Sequence, residues 1–363
     1  MEESSIKTGF IDYLKNNLLN LLPKDIADKA DIRIEEVLKG NDLRLTGVMI
    51  HESDTNITPT IYVDRFIEEA KEGVDFHELA KKIADMFMEA RQERFDSFDL
   101  DRVTNFNEIK DRLVTKIINK DLSSRYLTDI PYKEFGDLAI ITQIRLCAKE
   151  GSQASITIRD DMLKRWNVDF DDVISIATDN DLTSSDPRLY PMTSVLSSLM
   201  FGEDFEQKGF LPEDRCETDP MYVFCTEDKV NGAKLLNQPE LLEQIAGFLE
   251  SDLILLPSSV HEIIVVPDNK AMRFDMDELT KMIGDINTNE VMPDDVLSGH
   301  PMFYSKDEKV LYFEKNGEKI NMRFTDREKD SIKDKLTKAR QKSMETVNDT
   351  GNAHKKSREA LRV

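Results

Sequence analysis

The run Leu253–Pro267, LILLPSSVHEIIVVP, constrains the fold of this chain more than any other stretch. Leu253 to Leu256 and Ile263 to Val266 are short apolar blocks that read as strands, and the Pro-Ser-Ser between them reads as a turn. Two strands joined this closely pair antiparallel. The polar members Ser258, Ser259, His261 and Glu262 are also the residue types of a hydrolase, so the same run poses the functional question.

The remaining elements follow the same logic. Ile6, Phe10, Leu14, Leu18 and Leu22 recur at helical spacing and Pro23 closes the segment, which predicts an opening amphipathic helix. IRIEEVLKG and LRLTGVMIHE alternate around Gly40-Asn41-Asp42 and predict a hairpin. Asn105 with Glu108 predicts a helix start ahead of Ile109, Leu113 and Ile117. MYVFCTED and GAKLLN are expected to form a strand pair, followed by a helix capped by Asn237 with Pro239 in its first turn. The turns Lys306-Asp307-Glu308 and Lys315-Asn316-Gly317 predict a three-stranded meander. Hairpin turns outnumber crossovers, which indicates an α+β chain with antiparallel or mixed sheets and packed helices. The expected organisation is an N-terminal helix (1–25), a first α+β unit (26–180), a linker (181–220), a second α+β unit (221–325) and a charged helix and tail (326–363).

Charge narrows the partners. The formal net charge is −22, and residues 326–363 hold 11 Lys or Arg against 7 Asp or Glu, so residues 1–325 carry −26. Such a body repels phosphate backbones and anionic lipid, which argues against direct nucleic-acid binding by the main body. The N-terminus is acidic where a secretion signal is basic, and no apolar run is long enough to span a membrane, so a cytosolic, cytoplasmic protein is expected. Cys147, Cys216 and Cys225 are an odd set without C-x-x-C spacing, which argues against disulfides and thiolate zinc.

The catalytic and cofactor templates fail individually. His-Glu occurs at His51, His77 and His261, but four residues on stand Thr55, Lys81 and Val265, not a second histidine. Neither phosphate-loop glycine pattern nor G-x-S-x-G occurs, and no cofactor or metal is expected. In an extended Val260–Val266, His261 and Glu262 face opposite sides of the sheet. Ser259 and His261 share a side but stand about 6.6 Å apart along the strand, beyond the contact a nucleophile and its base need. A hydrolase would need Ser258 or Ser259, His261 and an acid such as Glu262 or the remote Asp137. Glu262 adjoins branched apolar residues and Asp137 leads LAII, so each carboxylate needs a partner in the fold.

Several blocks in order, LTGVMI, NITPTIYVDRF, DIPYKEFGDLAII, ASITIRDDMLKRWNVDFDDVISIA, MYVFCTEDKVNGAKLLNQPELLEQIA and DLILLPSSVHEIIVVPD, make the chain similar to the uncharacterised bacterial family known as domain of unknown function 5688 (DUF5688). The resemblance implies a cytosolic product often found near mobile elements and brings no activity or cofactor. The expected function is non-catalytic binding of an unknown protein or small-molecule partner, away from membranes. A hydrolase built on Ser258 or Ser259 with His261 is the alternative, and an acidic nucleic-acid mimic the second.

Overall fold

Strands here are sorted by how many of their faces are covered. The computed structural model describes residues 2–53, 58–92, 100–149, 152–202, 207–215, 219–268, 275–315 and 317–325. The charged helix expected from 326 lies outside them. Chain contacts form two units, one of residues 1–105 and 121–128, the other of residues 106–120 and 129 onward. The expected linker at 181–220 is not where the chain divides.

In the first unit, α1 (Glu2–Asn17), α2 (Lys24–Ala27), α3 (Asp64–Lys71) and α4 (Phe76–Gln92) accompany a sheet of β1 (Ala30–Leu38), β2 (Arg44–Glu52) and β3 (Thr60–Tyr62). Phe10, Leu14 and Leu18 pack with Val48, Ile50, Leu79, Ile83 and Phe87 in one core, as their helical and strand periods require. Asp75 receives the amides of His77 and Glu78 and so caps α4. Glu52 is buried and takes Arg91 in a fork, Nε at 2.7 Å and Nη2 at 3.0 Å. The Arg91 hydrogen bond outweighs burial and holds the Glu52 carboxyl below its ordinary range. The expected hairpin turn is present, with Asn41 and Asp42 at φ 56° and 52°. Asp42 accepts from the amides of Arg125 and Tyr126 and from the Ser124 hydroxyl, which fastens 121–128 to this unit.

The second unit begins with α5 (Phe106–Ile109) and a sheet of β4 (Leu113–Asn119), β5 (Tyr132–Phe135), β6 (Leu138–Lys149) and β7 (Ser152–Thr157), in which β6 pairs with the other three. Leu113 and Ile117 thus belong to a strand, not to the helix expected after Asn105: the helix stops at Ile109, and pairing with β6 covers the segment that follows. Next come α6 (Asp160–Trp166), α7 (Phe170–Ser184), β8 (Pro187–Pro191) and α8 (Met192–Phe201), whose last residues Leu199, Met200 and Phe201 are exposed. The segment expected as a linker therefore supplies an edge strand of the larger sheet.

That sheet has seven antiparallel strands. It comprises β8, β9 (Tyr222–Thr226), β10 (Asp252–Leu256), β11 (Glu262–Asp268), β12 (Met302–Ser305), β13 (Val310–Lys315) and β14 (Glu318–Asn321), ordered β14-β13-β12-β10-β11-β9-β8. Helices α9 (Pro239–Leu249) and α10 (Met276–Asn289) explain the unbroken apolar run of β10. Leu253 and Leu255 join Leu241, Leu242, Ile245 and Leu249 of α9 in one core, while Ile254 and Leu256 pack with Leu279 and Ile283 of α10 in another. Both faces are covered, so neither can be polar. Each of these leucines contributes roughly 1.5–3 kcal/mol by leaving water.

GAKLLN is not a strand. Gly232–Asn237 is a 3-10 turn that passes β9 and the start of β11 so closely that a Cβ on Gly232 would lie 2.2 Å from the His261 carbonyl. The Gly232 amide donates to that carbonyl at 2.9 Å. Asn237 does not cap α9; Gln238 stands at that position, and the Asn237 side chain binds the Thr325 amide and hydroxyl instead. This turn delivers Lys234, 4% exposed, to Asp181 of α7, fully buried, at 3.0 Å. Asp181 also receives the amide and hydroxyl of Thr115 on β4 at 2.8 and 2.6 Å.

Removing one ion from a buried pair leaves the other uncompensated, so Lys234→Ala is expected to cost about 3–5 kcal/mol. Urea unfolding of the variant measures this. A loss below about 1 kcal/mol would show that the pair is not desolvated.

Candidate functional site

The polar turn is a packed corner. Val260 donates to the Asp295 carbonyl at 2.9 Å, Leu297 to Ser258 at 3.0 Å and Ser298 to Pro257 at 2.9 Å, so residues 257–260 pair with 295–298. Ser258 and Ser259 are only 4% and 3% exposed. The Ser259 hydroxyl accepts the His261 amide at 3.0 Å, which is turn chemistry. On the imidazole, Nδ1 accepts the Asn231 amide at 3.2 Å and Nε2 faces Asp295 Oδ2 at 3.3 Å. The amide donor on Nδ1 leaves the ring proton on Nε2. Neither nitrogen meets a serine hydroxyl.

Glu262 lies opposite Cys225 across β11 and β9. Burial pushes its carboxyl above the ordinary range; His261 and a Ser259 hydrogen bond oppose this, and the Asp295 charge adds to it. The Cys225 thiol is pushed up to about 12 by burial and by Glu262, so it is held as an inert thiol.

Asp137 has a different partner from the one a hydrolase on His261 would require. Its Oδ2 meets His300 Nε2 at 2.7 Å, while His300 Nδ1 lies 3.3 Å from the Pro301 carbonyl. Both contacts want a ring N–H, so the geometry favours imidazolium. Burial of the ring opposes that charge, but the Asp137 hydrogen bond and charge, with the Pro301 carbonyl, raise the His300 pKa. The ring stacks on Phe313 at 4.9 Å. Ser298 is fully buried, and its hydroxyl reaches Asp137 Oδ2 at 3.5 Å and the backbone of His300, not the ring. Sequence reasoning missed both Ser298 and His300, whose loop carries no periodic signal.

Elsewhere on the same unit, a cleft of about 530 Å³ is lined by Lys133 of β5, by Lys309 and Val310 at the start of β13, and by Asn321 at the end of β14 with Met322, Arg323 and Phe324 after it. Lys309 is paired with Glu243. Among the described residues Lys133 and Arg323 have no ion-pair partner. Met322 is buried, and Phe324 packs on Phe135 with ring centroids 6.0 Å apart. The cleft was not anticipated because its lining comes from three separated segments. Among the described residues no group of His, Cys, Asp or Glu is placed to hold a metal, and no helix is long and apolar enough to cross a membrane.

The model of the Family of unknown function (DUF5688) matches residues 7–306. The chain belongs to this family. No curated protein and no solved structure matches it. The DUF5688 match takes in the corner at 257–262, Asp137, His300 and Lys133, and ends before Lys309 and Asn321 to Phe324. Most of the cleft therefore lies outside the matched span.

Two pH dependences follow from these carboxyls and rings. A folded Glu262 pKa above 4.5 means that wild-type stability declines as pH rises from there through the folded value. Glu262→Gln should raise Tm near neutral pH, with the gain vanishing toward pH 4.5; a lower Tm at neutral pH would show the charge to be favourable. His300, whose folded pKa lies above 6.5, contributes stability fully present below 6.5 and lost as pH rises through the folded value. The melting advantage of wild type over Asp137→Asn should shrink on that rise, and an advantage independent of pH would sink the ion pair.

Proposed function

We propose that this protein is a non-catalytic binding protein whose ligand occupies the cleft of the second unit. One observation carries the reading: residues 1–325 have a net charge of −26, yet this concavity is lined by Lys133 and Arg323, which have no ion-pair partner among the described residues, and by Lys309, which Glu243 pairs. Cations clustered in a concave, partly apolar site focus the local field and draw an anion that the surrounding surface repels.

The corner at 257–262 supports the same reading. The Ser259 hydroxyl takes the His261 amide, and the imidazole nitrogens face the Asn231 amide and Asp295, so these groups act as a structural clasp. A nucleophile would need its hydroxyl on an imidazole nitrogen. In the Asp137–His300 pair the ring nitrogens are likewise engaged, by carboxylate and carbonyl.

Treatment with a fluorophosphonate probe, followed by peptide mass spectrometry, tests the reading. Ser258 and Ser259 are expected to stay unlabelled in wild type and in His261→Ala alike. Labelling of either serine that His261→Ala abolishes would replace the binding reading with a hydrolase.

A further inference from the structure

We propose that the cleft binds a small organic phosphate, with the phosphate between Lys133 and Arg323 and the apolar part of the ligand against Phe324. This rests on reading the cleft as the ligand site. Charge matching selects the head group. Glu243 neutralises Lys309, which leaves Lys133 and Arg323 as two cations without an ion-pair partner among the described residues. A phosphate monoester carries about −1.5 to −2 near neutral pH and matches both. A single carboxylate would leave one cation unmatched.

The types of cation fit as well. The guanidinium of Arg323 offers a planar fork for two phosphate oxygens, and the Lys133 ammonium supplies a compact point charge for the third. The chain has no glycine-rich phosphate loop, so side-chain cations would have to hold the head group.

The shape selects the rest of the ligand. A volume of about 530 Å³ is in the range of sites for organic molecules and far exceeds what an inorganic ion fills. Phe324, backed by Phe135, offers an apolar wall that an inorganic ion would leave uncovered. The acidic body also separates a small phosphate from a polymer. A nucleic acid would bring many phosphates against a surface of net −26, whereas a single head group meets only the cleft.

Isothermal titration calorimetry of the full chain, in phosphate-free buffer of low ionic strength, tests this with phenyl phosphate, phenylacetate, inorganic phosphate and phenol. Phenyl phosphate should bind saturably at one site, inorganic phosphate more weakly, and phenol not at all. Lys133→Gln and Arg323→Gln should each weaken phenyl phosphate binding by about tenfold or more, as loss of a charge-assisted hydrogen bond implies. Lys281→Gln on α10 changes the net charge equally and should leave binding as it is; unchanged melting curves for all three variants show that they fold. Binding that Arg323→Gln does not weaken overturns the assignment. Saturable phenylacetate with silent phenyl phosphate overturns the phosphate class while the cleft stands, and silence from both overturns the cleft reading too. Release of phenol from phenyl phosphate by the pure protein would overturn the non-catalytic reading and leave the phosphate site intact.

Discussion

The second unit is organised around the contact between Lys234 and Asp181. It joins three things that the chain order keeps apart: the helix α7, the strand β4 through Thr115, and the 3-10 turn that leads into α9. Charges this deeply buried are tolerated only when each has a partner and its other polar atoms are occupied. The contact thus fixes where the turn can sit, and the turn fixes the rest. Gly232 must then pass against the His261 carbonyl, and Asn237 and Gln238 reach Thr325 and Thr178 to fill out the buried polar layer. The corner at 257–262 is held from the far side by residues 295–298, so its polar groups are spent on cohesion.

The same unit keeps its unbalanced charge at the surface. Glu243 holds Lys309, while Lys133 and Arg323 border a cleft with a hydrophobic wall. The family match stops at residue 306, so the scaffold that it covers carries the corner and the ion pair, and the segment beyond it completes the cleft. The cleft is thus completed by residues beyond the part of the chain that the family match covers.

Legibility in the sequence tracks the range of the interactions involved. The β1–β2 hairpin, the β10–β11 pair, the β12–β14 meander and the helices α1 and α9 were all readable, because alternation, helical spacing and turn residues act over a few positions. His261 lies just ahead of β11, where its imidazole meets Asn231 and Asp295, and Glu262 opens the strand in register with Cys225. The readings that failed were the ones settled by distant partners. Leu113 and Ile117 have helical spacing but pair with β6, and GAKLLN has the composition of a strand but bends to bury a lysine. The units divide near residue 105, and Asp42 ties 121–128 back to the first of them, a contact that no local pattern announces.

The sequence by itself determined an acidic α+β chain, its antiparallel strands, and the absence of the common catalytic and phosphate-loop motifs, since each of these depends on composition or on spacing along the chain. Tertiary structure alone decided that Asp137 answers to His300, that Lys234 lies inside, and that Lys133 and Arg323 line one cleft. The reason is physical: a charge takes its role from whatever surrounds it in space, and residues far apart in the chain supply those surroundings only after the sheets and helices have packed.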